Sequence, residues 1–463
     1  MINLFEYQNK EELSEEFDGL EMFLDDVWQQ REKTGYRYGE GEESEEEKVE
    51  AQRFLQFLHK TGEIKSNKYV GVIHYEGKKI NLLPKIFFDD NREVTTRDIN
   101  AIQQHILWWL SYCRKIKFPS YQTSLDSEKS DFFEVLIYLF AKYTRQLLSH
   151  SIYQQYEETR REMQYIRGRL DMERYIAQNL SRGRWHKLNC IYDPFVLDNR
   201  FNQIIKFVST MLINQTENDD SKKYLREILF TLDDVSYVPA TADECAAIQF
   251  NPAFAEFETV RDYCQLFLNH AVSFDYKNDL KLFAFLLPME YLFEDFIYGF
   301  IEKEVDGVQA TSQAGTKHLD EDKTFALRPD LILETEEKRI IADTKYKMVY
   351  KDPDDPKKGI SQSDLYQVLA YAVRFKIEDV VLLYPDTIQN YQQEASGFTI
   401  SDEFADQVDV NVTAWQLPVI NRELMSGNSG NKERLGKTFE RTKNNLKERI
   451  QKILFDHALE QSG

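Results

Sequence analysis

Apolar and polar positions along this 463-residue chain follow two different periods. Helical spacing, with apolar side chains recurring every three to four positions, marks 96–113 (TRDINAIQQHILWWLSYC), 130–150 (SDFFEVLIYLFAKYTRQLLSH) and much of 152–165. Residues 1–35 mix acidic and aromatic positions and also read as helical, and another helix is expected to end near Phe57-Leu58. Between them and residue 96 the pattern becomes that of a hairpin. Tyr69–Tyr75 and Lys79–Leu83 are β-rich runs flanking Glu76-Gly77-Lys78, and Pro84-Lys85-Ile86 ends the second strand. Residues 192–215 predict a loop and then a helix capped by Asp198 or Asn199. Residues 216–275 read as mostly helical and acidic. The apolar run LKLFAFLLPMEYLFEDFIYGFIEKEV, from Leu280, is expected to be a helix that Pro288 kinks or restarts.

After residue 305 the texture changes to short strands. VQATSQA, TFALRPDLILE and KRIIADTKYKMVY are β-like, SQSDLYQVLAYAVRF is helical, and DVVLLYP and VDVNVTAWQLPVI are β-like again. This order predicts an α/β core with a small mixed sheet, within a chain that is mixed α+β overall. A boundary is expected within NHAVSFDYKNDL, dividing the chain into 1–275 and 276–463. Residues 431–458 close the chain as one more helix. Its stretch Lys432–Lys452 carries eight Lys/Arg against three Glu, so it is a candidate lining for a nucleic-acid path.

Composition narrows the function classes. With 58 Lys+Arg against 79 Asp+Glu the net charge is −21, which argues against indiscriminate coating of nucleic acid but leaves room for a local basic groove. No apolar run approaches the ~20 residues that span a bilayer, and the acidic N-terminus lacks the features of a secretory signal. The four cysteines are scattered without a CxxC pair, which speaks against a zinc site or disulfide framework and for a reducing, cytoplasmic setting. Gly436-Lys437-Thr438 lacks a glycine at position 431, so no P-loop is expected and no nucleotide is expected to bind this chain. Trp108-Trp109 reads as core, the acidic run 39–50 as a solvated loop, and the Arg-rich stretch 160–184 as either a phosphate- or partner-binding surface or a solvated helical face.

The sharpest chemical feature is Pro329-Asp330 followed, after twelve residues, by Asp343-Thr344-Lys345. Alternation along a strand puts Ile341, Asp343, Lys345 and Lys347 on one face and Ile340, Ala342, Thr344 and Tyr346 on the other. A hairpin turning around Thr335-Glu336-Glu337 would bring Asp330 beside Asp343, and Pro329 would let the strands diverge there. Two carboxylates and an ammonium at a strand edge suit metal-assisted phosphodiester hydrolysis. Asp330 and Asp343 would hold hard Mg²⁺, with the Thr344 carbonyl as a further oxygen. Lys345 would orient or deprotonate the attacking water and balance phosphate charge. Glu294, four residues after Glu290, is a candidate additional metal or water contact, and Gln367 a candidate to reach water or phosphate. The bland alternative is a same-face Asp343–Lys345 ion pair worth little.

With these residues in place, 280–385 resembles the catalytic core of the PD-(D/E)xK nuclease superfamily, and the chain as a whole resembles the McrC family. The matching stretches are the Val70–Ile86 hairpin ending in Leu83-Pro84-Lys85-Ile86, Arg167-Gly168-Arg169-Leu170, Tyr192-Asp193, and Asp198-Asn199-Arg200-Phe201-Asn202. Leu327-Arg328-Pro329-Asp330 and Asp364-Leu365-Tyr366-Gln367-Val368-Leu369-Ala370-Tyr371 complete the set. The resemblance implies a helix-rich N-terminal region (1–275) that docks on an McrB-like AAA+ GTPase hexamer and stimulates its GTP hydrolysis. It also implies a restriction-endonuclease-like domain (276–463) that cuts double-stranded DNA carrying modified cytosine with Mg²⁺, the GTP being held by the partner. Two other classes remain open at this point: a regulator of an NTPase that does not cut, and a stand-alone repair-type nuclease.

Overall fold

The computed structural model describes residues 2–13, 19–21, 24, 54–75, 78–114, 132–275, 281–312, 317–320, 322–349, 357, 360–391, 396–402, 408–426 and 435–455. The chain forms two compact units, one from Met1–Val135 with His270–Gly463 and the other from Leu136–Asn269. Compactness therefore divides the chain differently from the functional division expected at 275, because the hairpin segment and the C-terminal half build a common sheet. The acidic run 39–50 lies outside the described residues.

In the first unit a five-stranded sheet combines β1 (Ile2–Phe5), β2 (Tyr69–Tyr75), β3 (Lys78–Leu83), β4 (Ala271–Asp275) and β5 (Lys281–Pro288), in the order β1-β3-β2-β5-β4. The hairpin is present, but it forms the centre of a sheet closed by residues from both ends of the unit. β1 runs parallel to β3, with Ile2 opposite Ile80, and β2 is antiparallel to β5. Gly71 is required here. Its φ of +144° suits glycine, and a Cβ would overlap the Phe285 carbonyl oxygen on β5. Leu4, Ile73, Ile80, Leu82, Ala284 and Leu286 meet in one core cluster with Phe54, Leu55 and Ile64.

A six-stranded mixed sheet follows: β6 (Gln309–Ser312), β7 (Leu331–Glu334), β8 (Arg339–Thr344), β9 (Asp379–Pro385), β10 (Ser396–Asp402) and β11 (Val408–Leu417), ordered β6-β7-β8-β9-β11-β10. β8, β9 and β11 are parallel, and the other pairings are antiparallel. The parallel step from β8 to β9 needs a crossover, whose helix is Gln362–Phe375. Its Val368, Tyr371, Ala372 and Phe375 pack on Ile332, Ile341, Val380 and Leu382. Helix Thr96–Leu110 is closed at its start by a capping box of Thr95 and Asp98. Trp108 and Trp109 are buried on it as expected; Trp108 stacks on Phe439 with ring centroids 4.7 Å apart.

Several elements differ from expectation. Residues 2–5 and 55–58 are strands rather than helix, since each short apolar run finds a sheet partner distant in sequence or across a turn. Residues 281–288 are a strand, and Pro288 is the N-cap of helix Met289–Glu304. The run is apolar throughout because β5 is an interior strand, which leaves no period to distinguish it from a buried helix. Residues 155–156 and 159–163 are also strands, and the edge strand β10 had no expected counterpart.

The second unit has a core on helices Arg200–Ile213, Asp219–Thr231 and Phe257–His270. Asn199, not Asp198, caps the first of these, accepting from the Asn202 N–H at 3.1 Å, while Asn199 and Asn202 both donate to the Tyr153 carbonyl. Asp198 instead accepts from Ser236 and Gln203. A small antiparallel sheet of Thr159–Met163, Leu188–Tyr192 and Arg169–Leu170 completes the unit. Gly168, at φ +69°, passes so close to Tyr192 that no side chain fits, and the Arg167 guanidinium lies 4.3 Å from the Tyr192 ring centroid.

Candidate active site

β7 and β8 form a hairpin closed by the Thr335 N–H donating to the Lys338 carbonyl at 2.9 Å. Its register sets Leu331 opposite Ala342, so the preceding residue, Asp330, arrives beside Asp343. Asp330 Oδ2 accepts hydrogen bonds from both the N–H and the hydroxyl of Thr344, each at 2.8 Å. Thr344 thus orients Asp330 with its own donors, a role distinct from the carbonyl ligation expected of it.

Asp343 is 1% exposed and shares its face of β8 with Ile341, toward helix Gln362–Phe375. Lys345 Nζ stands 2.7 Å from Asp343 Oδ2, though that oxygen takes no well-aligned hydrogen bond. Lys345 Nζ also donates to Gln367 Oε1 at 2.9 Å, and Gln367 Nε2 donates to the Tyr371 hydroxyl at 2.9 Å. The site is therefore held from the hairpin and from the crossover helix. Its backbone continues past the strand, with Lys345 N–H donating to the Leu383 carbonyl of β9 at 2.8 Å.

Burial pushes the Asp343 carboxyl well above the usual carboxylate range, and the negative charge of Asp330 adds to this, outweighing the attraction of Lys345. Burial pulls the Lys345 ammonium down, but Asp343, Asp330 and Asp364 together leave it above its ordinary value. These carboxylates favour the charged form of Lys345, which suits it to balancing negative charge beside them.

Sequence reasoning gave no role to three members of this neighbourhood, Lys347, Asp364 and Tyr371. Lys347 Nζ pairs with both oxygens of Asp364, at 2.8 and 2.9 Å, and Tyr371 supports Gln367. The spacing i, i+3, i+7 of Asp364, Gln367 and Tyr371 was available as a signal that one helix face carries all three. Glu294 lies half-buried on helix Met289–Glu304, next to Phe293, whose ring is 5.8 Å from that of Tyr346. Tyr346 lies past the end of β8, where the Lys347 N–H closes a tight turn on the Lys345 carbonyl at 2.8 Å, so the alternation expected to run on to Lys347 stops at Thr344. Hydrogen bonds and ion pairs link Asp330 with Thr344, and Asp343 and Gln367 with Lys345.

The donor set suits a hard divalent cation. Two carboxylates repel each other, and one buried oxygen lacks an aligned donor. Among the described residues no group of three or more His, Cys, Asp or Glu stands ready to hold a metal, and Mg²⁺ is the hard cation that keeps several waters when few carboxylates bind it.

On the C-terminal helix Glu440–Phe455, Lys443 pairs with Glu304 and Glu440, Lys447 with Asp306, and Arg449 is buried over the Trp415 ring at 4.5 Å, while Lys452 is exposed. In the second unit, by contrast, the segment 155–196 exposes Tyr156, Tyr165, Ile166, Met172, Ile176, Leu180, Trp185 and Phe195 among its arginines, with Trp185 71% exposed. Among the described residues no helix is long and apolar enough to cross a membrane.

A six-stranded mixed sheet with a crossover helix, presenting an acidic pair and a lysine at the end of one hairpin, defines a mixed α/β domain. The family model described as "McrBC 5-methylcytosine restriction system component" matches residues 64–385. The chain belongs to this family, as the McrC resemblance implied, and is a component of a McrBC-type restriction system. No curated protein matches the chain individually. Among solved structures, a Thermococcus gammatolerans half-complex of McrB AAA+ hexamers with bound McrC contains a similar chain: 18% identity, TM-score 0.65, with 96% of this chain and 99% of that chain covered. A second structure, of the Thermococcus gammatolerans McrBC complex, is similar at 19% identity and TM-score 0.49, over 69% of this chain and 89% of that one.

Proposed function

We propose that the chain is the nuclease subunit of its restriction system: a Mg²⁺-dependent endodeoxyribonuclease that cuts double-stranded DNA carrying modified cytosine of the 5-methylcytosine type. It works docked on an AAA+ GTPase hexamer, which holds the GTP and whose hydrolysis it stimulates, in the cytoplasm. The observation that carries this reading is the convergence of Asp330, Asp343 and Lys345 at one strand end, with Asp343 buried and raised in pKa.

Asp330 and Asp343 would hold the cation, with the Thr344 carbonyl as a further oxygen and Glu294 contacting the metal or one of its waters. Mg²⁺ supplies Lewis-acid charge for the scissile phosphate and lowers the pKa of an attacking water. The Thr344 N–H and hydroxyl keep Asp330 aimed at the site. Lys345, held by Gln367, offers positive charge to the phosphate oxygen as negative charge develops there. Residues 1–275 supply the docking region in this reading. Within them the exposed aromatic and arginine side chains of 155–196 suit a protein partner surface, since Trp, Tyr and Arg dominate such contacts.

The test is cleavage of methylated plasmid by the chain with its GTPase partner, GTP and Mg²⁺. Cutting by wild type and none by Asp343→Ala supports the assignment; wild-type-like cutting by Asp343→Ala refutes the site. GTPase stimulation without cutting under any metal would instead make the chain a regulator. Cutting with no nucleotide present would make it a stand-alone nuclease.

A further inference from the structure

Just past the end of β8, at Tyr346, lies a second buried cluster, built from the N-terminal strand and the end of the hairpin. Glu6 is fully buried, and its Oε2 accepts from the Lys85 N–H at 3.2 Å. The Lys85 side chain, 9% exposed, places its ammonium 4.5 Å from the Tyr346 ring centroid and 5.6 Å from that of Tyr7. Tyr346 is itself buried and follows Lys345 directly. Burial pushes Glu6 up to about 7, against the pull of Lys85, and Glu290 faces the same group. The segment that carries Lys85 also grips the neighbouring strand: the Ile388 N–H, just past β9, donates to the Ile86 carbonyl at 2.9 Å. Pro84-Lys85-Ile86 is thus seated against the exits of both β8 and β9, which are joined to each other by the Lys345 N–H to Leu383 carbonyl bond.

We propose that Lys85, through the Tyr346 ring, is a positioning residue for Lys345, so that the hairpin of the five-stranded sheet sets the geometry of the catalytic strand. This rests on the nuclease reading above. Tyr346 is bonded directly to Lys345, in a tight turn closed by the Lys347 N–H on the Lys345 carbonyl at 2.8 Å, so a shift of Tyr346 by a fraction of an ångström moves Lys345 with it, and misplacement of a catalytic group is costly in rate. A lysine buried over an aromatic face is held more firmly than an aliphatic chain would be.

The experiment compares Lys85→Met, Tyr346→Leu, their double variant and Tyr346→Phe in the complex with partner, GTP and Mg²⁺. Lys85→Met and Tyr346→Leu are expected to lower the single-turnover cutting rate about tenfold or more, with the KM for DNA and GTPase stimulation unchanged. The double variant is expected to be no slower than either alone, and Tyr346→Phe, which keeps the ring, to stay within about twofold of wild type. Hydrogen exchange on the same proteins is expected to quicken at the amides of Lys345 and Ile388 but not at those of β10. Wild-type rates in both single variants, additive losses, or unaltered exchange at these two amides overturn the proposal. Should wild type itself fail to cut, the nuclease reading fails, while the exchange measurement still decides whether Lys85 holds the exit of β8.

Discussion

Replacing Asp343 by Asn separates what the site costs the fold from what it does. In wild type burial raises the folded carboxyl from its ordinary value of 3.8. The folded chain therefore holds a proton that the unfolded chain releases, and stability falls as pH rises from near 3.8 through the raised value. Asn keeps the shape and removes the charge. The loss of the Lys345 partner is already included in the balance, because Lys345 attracts Asp343 and yet the carboxyl remains raised; Lys345 also keeps Gln367 and the field of Asp330 and Asp364. At pH 8 in chelator-treated buffer, Asp343→Asn is expected to be more stable by about 1–3 kcal/mol, the usual penalty for a buried, poorly satisfied polar or charged group. The advantage should vanish near pH 4. Adding Mg²⁺ at about a hundred times its Kd should stabilise wild type by roughly 2.7 kcal/mol and leave the variant unmoved. Urea unfolding followed by hydrogen exchange in peptides from β7 and β8 reads both effects, and a plasmid assay reads the loss of cutting. A variant less stable than wild type at pH 8 without metal, or stabilised by Mg²⁺ to the same extent, would refute the reasoning.

Other outcomes follow from the same geometry. Lys345→Met should abolish cutting while leaving GTPase stimulation intact, since its contacts are to Asp343 and Gln367. Gly71→Ala should destabilise the first unit by on the order of 3 kcal/mol or more, because β5 backbone occupies the space a Cβ needs; circular dichroism melts check this. Gly168→Ala should distort the Thr159–Met163/Leu188–Tyr192 sheet for the same steric reason, lowering GTPase stimulation without altering exchange in β8. Trp185→Ala, at an exposed position, should leave the melting curve unchanged and weaken partner binding by about 1–2 kcal/mol or more in a pull-down titration.

How much was legible depended on how local the determinants are. The pairing of Asp330 with Asp343 could be anticipated because a hairpin converts sequence spacing into proximity, and Thr335–Lys338 supplies the turn. Gln367 could be placed because a crossover helix must cover the parallel pair β8–β9. The strand character of 281–288 was hidden, since an interior strand and a buried helix show the same unbroken apolar run until a partner such as Gly71 is known. The exposed strand 159–163 was hidden for the opposite reason: its side chains are mostly solvated, so no hydrophobic period records its pairing with Leu188–Tyr192. The ion-pair partners of the basic C-terminal helix were hidden because charge is counted along the chain, whereas Glu304 and Asp306, which pair with Lys443 and Lys447, come from elsewhere.

By itself the amino-acid order determined the mixed α/β character of the C-terminal half, the β2–β3 hairpin, the capped and amphipathic helices and the acidic pair with its lysine, because each rests on neighbours within some twenty residues. Only the tertiary structure decided that β1, the hairpin and β5 share a sheet, that Asp343 is buried and raised, and that Glu6, Lys85 and Tyr346 meet behind Lys345. Those outcomes depend on which surfaces exclude water from one another across hundreds of residues, and desolvation, unlike periodicity, belongs to the assembled fold.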